Sequence, residues 1–197
     1  MNTVMWVVAG YLFGSIPAGY LAVRFILGED IRKLGSGNIG ATNVSRFLGK
    51  KWGVAVAVFD MAKGGIVVLA ARLMGVHDPW VLALAGFAGV CGHNFPVWLR
   101  FRGGKGVATS FGVIFFWHPV PALAGGLAWY LVMRFSRYVS VGSMVSLITV
   151  PVWFLMLGQP AAYSWVSSAL AVLAVVRHRK NIGNILSGSE GRIGMEE

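Results

Sequence analysis

The sequence predicts an all-α integral membrane protein in which residues 1–197 form a single domain. Hydrophobic residues make up 56% of the 197 residues and charged residues only 12%, whereas a soluble domain carries roughly 25% charged residues. Long apolar segments alternate with short polar ones, and the basic residues collect in alternate polar connections. A chain this apolar cannot cover its surface with polar groups, so we expect lipid to cover it.

Seven apolar segments are candidates for membrane-spanning helices, since a span needs about 20 mostly apolar residues. They are residues 4–27, 53–75, 79–99, 107–118, 120–135, 139–158 and 161–177. The fourth is short, so it is tilted, partly re-entrant or continuous with the fifth. The run His118-Pro119-Val120-Pro121 predicts a helix break between them. We count about seven helices, with five or six as the alternative.

The formal net charge of +10 follows mainly from the basic residues of cytoplasmic loops rather than from a nucleic-acid site. Alternate connections contain Arg24, Arg32, Lys33, Arg46, Lys50 and Lys51, then Arg100, Arg102 and Lys105, then Arg134 and Arg137, and in the tail Arg177, Arg179, Lys180 and Arg192. The opposite turns, near 76–78, 118–120 and 158–161, contain none. The positive-inside rule predicts an external N-terminus and a cytoplasmic C-terminus, which requires an odd number of spans.

Cys91 is the only cysteine, so neither an intrachain disulfide nor a cysteine metal cluster is expected. His77 and His118 belong to the face opposite the basic connections and lack ligand partners, so we expect no metal and no cofactor. The first basic residue is Arg24, whereas a cleaved signal peptide has a basic start. We therefore expect the first apolar segment to be a retained helix.

The first polar segment, residues 35–43, reads GSGNIGATN. It contains G-x-G-x-x-G, but a dinucleotide site needs a βαβ unit, which two membrane helices do not provide. Glycines permit tight turns that bring backbone N–H groups to an anion, and Thr42 or Asn43 could cap a short helix. A flexible surface loop is the alternative. The candidate phosphate-binding residues are Ser36, Gly37, Asn38, Gly40, Thr42 and Asn43, with Arg46 as countercharge.

The second polar segment, residues 100–109, reads RFRGGKGVAT. It is not a Walker A loop, because Leu99 replaces the first glycine and Gly106 follows Lys105. It remains a glycine-rich turn that enters a helix and carries a lysine, so we favour anion binding over an ordinary basic loop. The candidate residues are Gly103, Gly104, Lys105 and Gly106.

The third polar segment begins with RHRKN at 177–181 and continues with SGSEGR at 187–192. A basic stop-transfer cluster would explain the arginines alone. His178 and Asn181 have i,i+3 spacing and could face one site together. Weaker candidates at the same face are Ser143, with Ser140, and the pair His93-Asn94. Asp60 and Lys63 are charged residues inside a predicted span, and are either functional or a mutual structural pair.

These segments resemble the motifs of one family, the bacterial acyl-phosphate:glycerol-3-phosphate acyltransferases (the PlsY family). The resemblance lies in GSGNIGATN at 35–43, GHNFPVWLRFRGGKGVAT at 92–109 and RHRKNI at 177–182, with the opening GSIPAGYL at 14–21. It implies a seven-helix enzyme of the bacterial cytoplasmic membrane, with its active site at the cytoplasmic face. Family members also carry a glutamate in the tail, which Glu190 would match.

The resemblance implies transfer of a fatty acyl group from acyl phosphate to the 1-hydroxyl of glycerol 3-phosphate. The products would be 1-acyl-glycerol 3-phosphate (lysophosphatidic acid) and phosphate, in the first acylation of bacterial phospholipid biosynthesis. The family takes its acyl group directly from neither acyl-CoA nor acyl carrier protein. A separate enzyme that depends on acyl carrier protein would supply the acyl phosphate.

The residues fit that chemistry, because both substrates carry phosphate and the chain has two glycine-rich anion loops. The catalytic candidates are His178, Asn181, Lys105 and Arg46. No histidine has the H-x-x-x-x-D spacing of other glycerolipid acyltransferases, so either His178 or a substrate phosphate oxygen would take the hydroxyl proton. Which loop holds which phosphate stays open.

Two other classes of protein fit part of the pattern. A transporter of a phosphorylated metabolite would place helix N-termini and a lysine near an anion, but here the polar groups collect at one face and no inverted repeat is evident. A structural protein that binds anionic lipid headgroups would need basic residues but not the glycine-rich loops.

Overall fold

The computed structural model describes residues 2–193, and within them the chain forms ten α-helices, two 3₁₀ turns and no strand. The all-α prediction is therefore confirmed for this range. The helices are α1 (Thr3–Gly14), α2 (Ala18–Leu27), α3 (Ala41–Leu48), α4 (Lys50–Leu73), α5 (Pro79–Asn94), α6 (Val107–Trp117), α7 (Pro119–Ser136), α8 (Val139–Met156), α9 (Ala161–Arg177) and α10 (Arg179–Leu186).

All seven predicted apolar segments are helical, and four helical stretches are long and apolar enough to cross a bilayer. These are Thr3–Leu27, Lys50–Leu73, Pro79–Leu99 and Val139–Met156. Large apolar side chains also cover the outside of the bundle: Leu123, Leu155 and Val172 are 65%, 67% and 65% exposed. In water such a surface would be unfavourable, so it indicates contact with lipid.

Prolines divide the chain at two points, of which the sequence analysis predicted the one at 118–121. The first apolar segment consists of two helices, because α1 ends at Gly14 and α2 begins after Pro17. Likewise α6 ends at Trp117 and α7 begins at Pro119, with the His118 ring accepting a hydrogen bond from the Val120 amide at 3.3 Å. A proline lacks the N–H that would continue the preceding helix.

Three predicted boundaries were wrong. The helix expected over 79–99 ends at Asn94, because Pro96 begins a short 3₁₀ turn over Val97–Leu99. The helix expected from residue 53 begins at Lys50, and the one expected to reach residue 158 ends at Met156. Helices α3 and α10 lie in the polar segments, where apolar periodicity gives no signal for a span.

Glycines let the helix backbones approach closely. A Cβ at Gly14 in α1 would lie 1.9 Å from the Gly89 carbonyl oxygen in α5, and a Cβ at Gly112 in α6 would lie 1.9 Å from the Met61 carbonyl oxygen in α4. Small residues at helix contacts are typical of membrane bundles, where van der Waals packing drives association. The bundle around α4, α5 and α6 is therefore tight and leaves little freedom to move.

A separate aromatic cluster closes the end of the bundle remote from the basic loops. The Trp117 ring stacks on Tyr163 at a centroid distance of 5.3 Å and lies 6.1 Å from Phe154. Arg72 donates to the Trp117 carbonyl oxygen at 2.9 Å. This cluster joins α4, α6, α8 and α9, so it fixes the helices whose opposite ends carry the polar segments.

We expect Gly112→Ala to destabilise the bundle by about 1–3 kcal/mol, because the added methyl group has to displace the α4 backbone. The measurement is thermal unfolding of the purified protein in detergent. Gly126→Ala is the matched control, since the space around its Cβ position is open to 4 Å. That change should be neutral or stabilising by about 0.5–1 kcal/mol. Equal melting temperatures for both variants would contradict the close approach of α4 and α6.

Candidate active site

Three polar segments meet at one end of the bundle. The first, residues 28–40 with α3, lies between α2 and α4; the second, residues 95–106, joins α5 to α6; the third follows α9. The Arg32 guanidinium joins the first two by donating to the Leu99 carbonyl oxygen at 3.3 Å. Arg177 joins the third to the second by donating to the Gly104 carbonyl oxygen at 3.0 Å.

Asn43 holds the first loop in its folded shape. Its side chain is 1% exposed and donates through Nδ2 to the carbonyl oxygens of Leu34 at 3.0 Å and Asn38 at 2.9 Å. Its Oδ1 accepts a hydrogen bond from the Ser36 amide at 3.1 Å. Because both ends of the amide are engaged inside the loop, Asn43 shapes the loop and leaves other groups to face a ligand.

The first loop presents its polar groups beside a helix N-terminus. Helix α3 begins with Gly40 as its N-cap, so the prediction that Thr42 or Asn43 caps this helix was wrong. Among the described residues, the amides of Ala41 and Thr42 have no hydrogen-bond acceptor. Such amides, aligned with the helix dipole, favour an anion. Ser36, Thr42 and Arg46 are exposed at this surface.

The second loop folds back on the end of α5. The amides of Gly103 and Gly104 donate to the carbonyl oxygens of Asn94 and His93 at 3.2 and 3.1 Å. A Cβ at Gly104 would lie 2.1 Å from the His93 ring nitrogen Nε2, so only glycine fits there. Gly106 has a φ of 79° and caps α6. These contacts explain why glycines surround Lys105.

Lys105 connects the second loop to the third segment. Its Nζ donates to the Asn181 Oδ1 at 2.6 Å, and the Asn181 Nδ2 donates to the Glu190 carboxylate at 2.6 Å. The Ser140 hydroxyl also donates to this carboxylate, at 2.8 Å. The tail thus returns to α8 and holds Asn181 against the lysine.

The charge of Lys105 is set by its surroundings. Burial lowers the pKa of its ammonium group to about 8; the Glu190 carboxylate opposes this shift, and the charges of Arg177 and Arg46 add to it. Arg46 comes from α3, so charge from the first segment also acts on this amine. An anion placed between the two cations would stabilise the charged amine.

His178 is a neutral imidazole in this site. Its side chain is 2% exposed, and its Nδ1 lies 2.7 Å from the Ala174 carbonyl oxygen. A carbonyl oxygen only accepts hydrogen bonds, so Nδ1 carries the proton and Nε2 keeps a lone pair. Burial, assisted by the charge of Lys105, lowers the pKa of His178 to about 4.

Comparison with known proteins identifies the family. The family model described as glycerol-3-phosphate acyltransferase matches residues 4–188. A glycerol-3-phosphate acyltransferase of Desulforamulus reducens is 45% identical, covering 100% of this chain and 98% of the relative. One of Thermus thermophilus is 48% identical, covering 98% and 97%. This chain belongs to the glycerol-3-phosphate acyltransferase family.

Solved structures of the acyltransferase family share the fold. A crystal structure of PlsY (YgiH), an integral membrane glycerol 3-phosphate acyltransferase in its glycerol 3-phosphate form, superposes with a TM-score of 0.93 at 41% identity, covering 98% of this chain and 96% of that chain. The lysophosphatidic acid form of PlsY gives 0.90 at 40% identity, covering 98% and 95%. The fold described above is thus that of an integral membrane acyltransferase.

Several weaker candidates in this acyltransferase-family chain have a definite environment. The Ser143 hydroxyl donates to the Val139 carbonyl oxygen at 2.8 Å and accepts from the Trp129 indole at 3.3 Å. Glu190 is held by Asn181, Ser140 and Asn184, so its carboxylate faces protein donors. His178 and Asn181 do not lie on one continuous helix, because His178 ends α9 and Asn181 lies in α10.

The role of Arg177 was missed by the sequence analysis, which explained it as part of a stop-transfer cluster. Its Nε and Nη2 donate to the carbonyl oxygens of Gly104 and Gly103 at 3.0 and 2.9 Å, and its guanidinium lies 5.1 Å from the Phe95 ring centroid. The sequence did contain a signal for this role, because glycine-rich turns leave carbonyl oxygens that need donors. The planar guanidinium of an arginine can donate to two such oxygens at once.

We expect Arg177→Met to destabilise the protein by about 1.5–3 kcal/mol, because two carbonyl oxygens lose a charged donor. It should also speed tryptic cleavage after Arg100 and Arg102, since the loop they occupy loses its attachment to α9. Arg179→Met is the matched control: it removes the same charge from an exposed side chain whose one contact, to the Val176 carbonyl oxygen, is long at 3.4 Å. Equal cleavage rates in both variants would contradict the attachment.

Proposed function

We propose that this protein transfers a fatty acyl group from acyl phosphate to the sn-1 hydroxyl of glycerol 3-phosphate. The products are 1-acyl-glycerol 3-phosphate and phosphate, in the first acylation of bacterial phospholipid biosynthesis. The observation that carries the proposal is the position of Lys105, which donates to Asn181 of the third segment and lies on a loop that Arg32 of the first segment and Arg177 of the third hold in place. Three segments far apart in sequence thereby surround one cationic site, and family membership supplies the acyl acceptor.

The side chains of the site suit an acyl donor that is already activated. Two glycine-rich loops suit two phosphate groups, one on each substrate. His178 bonds through Nδ1 to the Ala174 carbonyl oxygen rather than to a carboxylate, so it lacks the partner that makes histidine a strong base. A mixed anhydride such as acyl phosphate reacts with a hydroxyl under weak base assistance, because phosphate is a good leaving group.

The reaction forms one carbon–oxygen bond, breaks another, and moves one proton. The hydroxyl oxygen of glycerol 3-phosphate attacks the acyl carbonyl carbon, and the bond from that carbon to the phosphate oxygen of the donor then breaks. Lys105 and Arg46 stabilise the negative charge on the phosphates, and backbone N–H groups stabilise charge on the acyl carbonyl oxygen. Ser36, Asn38 and Thr42 supply further donors, and Gly37 and Gly40 permit close approach of a phosphate to the first loop. Gly103, Gly104 and Gly106 let the second loop pack against the end of α5, which holds Lys105 at the site.

The hydroxyl proton passes to a phosphate oxygen. With a pKa of about 4, His178 is a weaker base than a phosphate dianion, whose pKa is about 6. The Nε2 lone pair of His178 therefore accepts a hydrogen bond that orients the hydroxyl, while the proton leaves with phosphate. Asn181 keeps Lys105 in place, and Glu190, together with Ser140, keeps Asn181 in place.

The membrane supplies the acyl chain. The proposal places the enzyme in the bacterial cytoplasmic membrane with seven crossings, of which α1 and α2 together form the first. The N-terminus is outside and the active site is cytoplasmic, as the basic residues of the three polar segments favour. Acyl phosphate, made by a separate enzyme that depends on acyl carrier protein, reaches the site laterally from lipid.

The direct test is phosphate release by the purified protein in a lipid mesophase or detergent. Release should require both acyl phosphate and glycerol 3-phosphate and should match lysophosphatidic acid one for one. Acyl-CoA and acyl carrier protein should not replace the donor.

Lys105→Ala should lower kcat/KM by about 100-fold or more, whereas the control Lys180→Ala, an exposed lysine of α10, should change it by less than about twofold. Flux of glycerol 3-phosphate across vesicles without turnover would instead indicate a transporter.

We expect kcat/KM for glycerol 3-phosphate to fall as pH rises through about 8. Lys105 binds phosphate in its charged form, and the pKa of its amine in the free enzyme is about 8. The amine is therefore fully protonated well below pH 8 and loses its charge above it. In Lys105→Arg the fall in kcat/KM should move to higher pH or disappear, because the guanidinium stays protonated. An unchanged fall near pH 8 in Lys105→Arg would assign the titration to another group.

A further inference from the structure

Three charged or titratable side chains lie buried between α4 and α5, beneath the loop that carries Lys105. Asp60, Lys63 and His93 are 3%, 4% and 4% exposed. Lys63 Nζ lies 2.8 Å from the Asp60 Oδ1, and His93 Nδ1 lies 3.5 Å from the same oxygen. The acyl transfer described above uses none of them. Charges inside a membrane protein are costly and usually serve a purpose.

Lys63 connects this cluster to the break in the first apolar segment. Its Nζ donates to the Ile16 carbonyl oxygen at 2.7 Å. Pro17 follows this carbonyl and interrupts the helix. The carbonyl oxygen also accepts the Ala18 amide at 3.1 Å, so Lys63 adds a charged donor at a break where a bilayer would supply none. Helix α2 starts directly after the break and leads into the loop at 28–40. The cluster therefore fixes the element from which the first anion loop extends.

His93 connects the cluster to the second anion loop. Its ring nitrogen Nε2 would lie 2.1 Å from a Cβ at Gly104, so the ring packs directly against the backbone of that glycine. The His93 carbonyl oxygen also accepts the Gly104 amide at 3.1 Å. Lys105 is the next residue. The His93 Nδ1 has no hydrogen-bond partner among the described residues and lies 3.5 Å from the Asp60 Oδ1. The ring therefore faces Asp60 on one side and packs on the other against the glycine that precedes Lys105.

We propose that Asp60, Lys63 and His93 act together as positioning residues, which hold the two anion loops at one fixed separation and act on turnover through Lys105. This inference rests on the proposed acyl transfer. The two loops come from separate helices, and one buried cluster touches the supports of both. A displacement of about 1 Å at a catalytic group can cost about 100-fold in rate, so a rigid link between the loops has a direct effect on the reaction.

A double-mutant cycle tests this link. Phosphate release is measured for the parent protein, His93→Ala, Lys105→Gln and the double variant. In the parent background His93→Ala should lower kcat/KM by about tenfold or more. In the Lys105→Gln background it should cost less than about twofold, because the residue through which it acts is gone. Equal losses in both backgrounds would overturn the proposal. If a variant turns over too slowly to measure, calorimetric affinity for glycerol 3-phosphate completes the same cycle.

Matched variants separate positioning from folding. Arg72→Met removes a partly buried hydrogen bond to the Trp117 carbonyl oxygen at the opposite end of the bundle, so it should lower the melting temperature while leaving kcat/KM within about twofold. If His93→Ala fails to fold, His93→Gln, which keeps a polar group facing Asp60, replaces it in the cycle. If the fall in kcat/KM simply follows the fall in melting temperature across these variants, the cluster has only a structural role. If the parent protein shows no turnover, the acyl transfer itself is refuted. If the parent is active but His93→Ala lowers kcat/KM equally in both backgrounds, only the positioning role is refuted.

Discussion

A backbone carbonyl oxygen that is buried from water needs a donor from within the protein, and this constraint explains how the polar side chains of the loops and of the helix break are arranged. Glycine-rich turns and proline breaks leave backbone carbonyl oxygens that the protein itself has to satisfy. Asn43 serves those of the first loop, Arg177 those of the second, and Lys63 the one at the helix break. Because these side chains hold the backbone, neither Lys105 nor Arg46 is needed to satisfy those carbonyl oxygens, which suits the phosphate-binding role proposed for them.

The same arrangement divides the molecule into a rigid support and a charged end. Close glycine contacts and the aromatic cluster around Trp117 immobilise the helices. At the other end, the contacts from Lys105 through Asn181 to Glu190 join the second loop to the tail. Partial burial keeps the pKa of Lys105 near 8, so the amine is charged at neutral pH and yet only partly hydrated. Such a cation binds phosphate more strongly than a fully exposed lysine would.

The fold was largely predictable from sequence, because apolar segments of sufficient length and the prolines at 17 and 119 follow from local chemistry. The three polar segments proposed to bind anions were recognisable as candidates from their glycines and basic residues. The contacts within the site were not. Arg177 and Gly104 are 73 residues apart, and periodicity carries no information about such pairs. Asn43 was ambiguous for another reason, since an amide can equally bind a ligand or its own loop, and only the fold shows which.

The central claim is that three segments form one phosphate-binding site on one side of the membrane. Labelling of single cysteines with a membrane-impermeant thiol reagent in oriented vesicles tests it most directly, in a Cys91→Ser background with cysteine placed in turn at Thr42, Arg102 and Lys180. We expect all three to react from the cytoplasmic side only, and glycerol 3-phosphate to slow the labelling at Thr42 and Arg102 while position 180, outside the site, reacts at an unchanged rate. Reaction from opposite sides, or protection confined to one position, would contradict it.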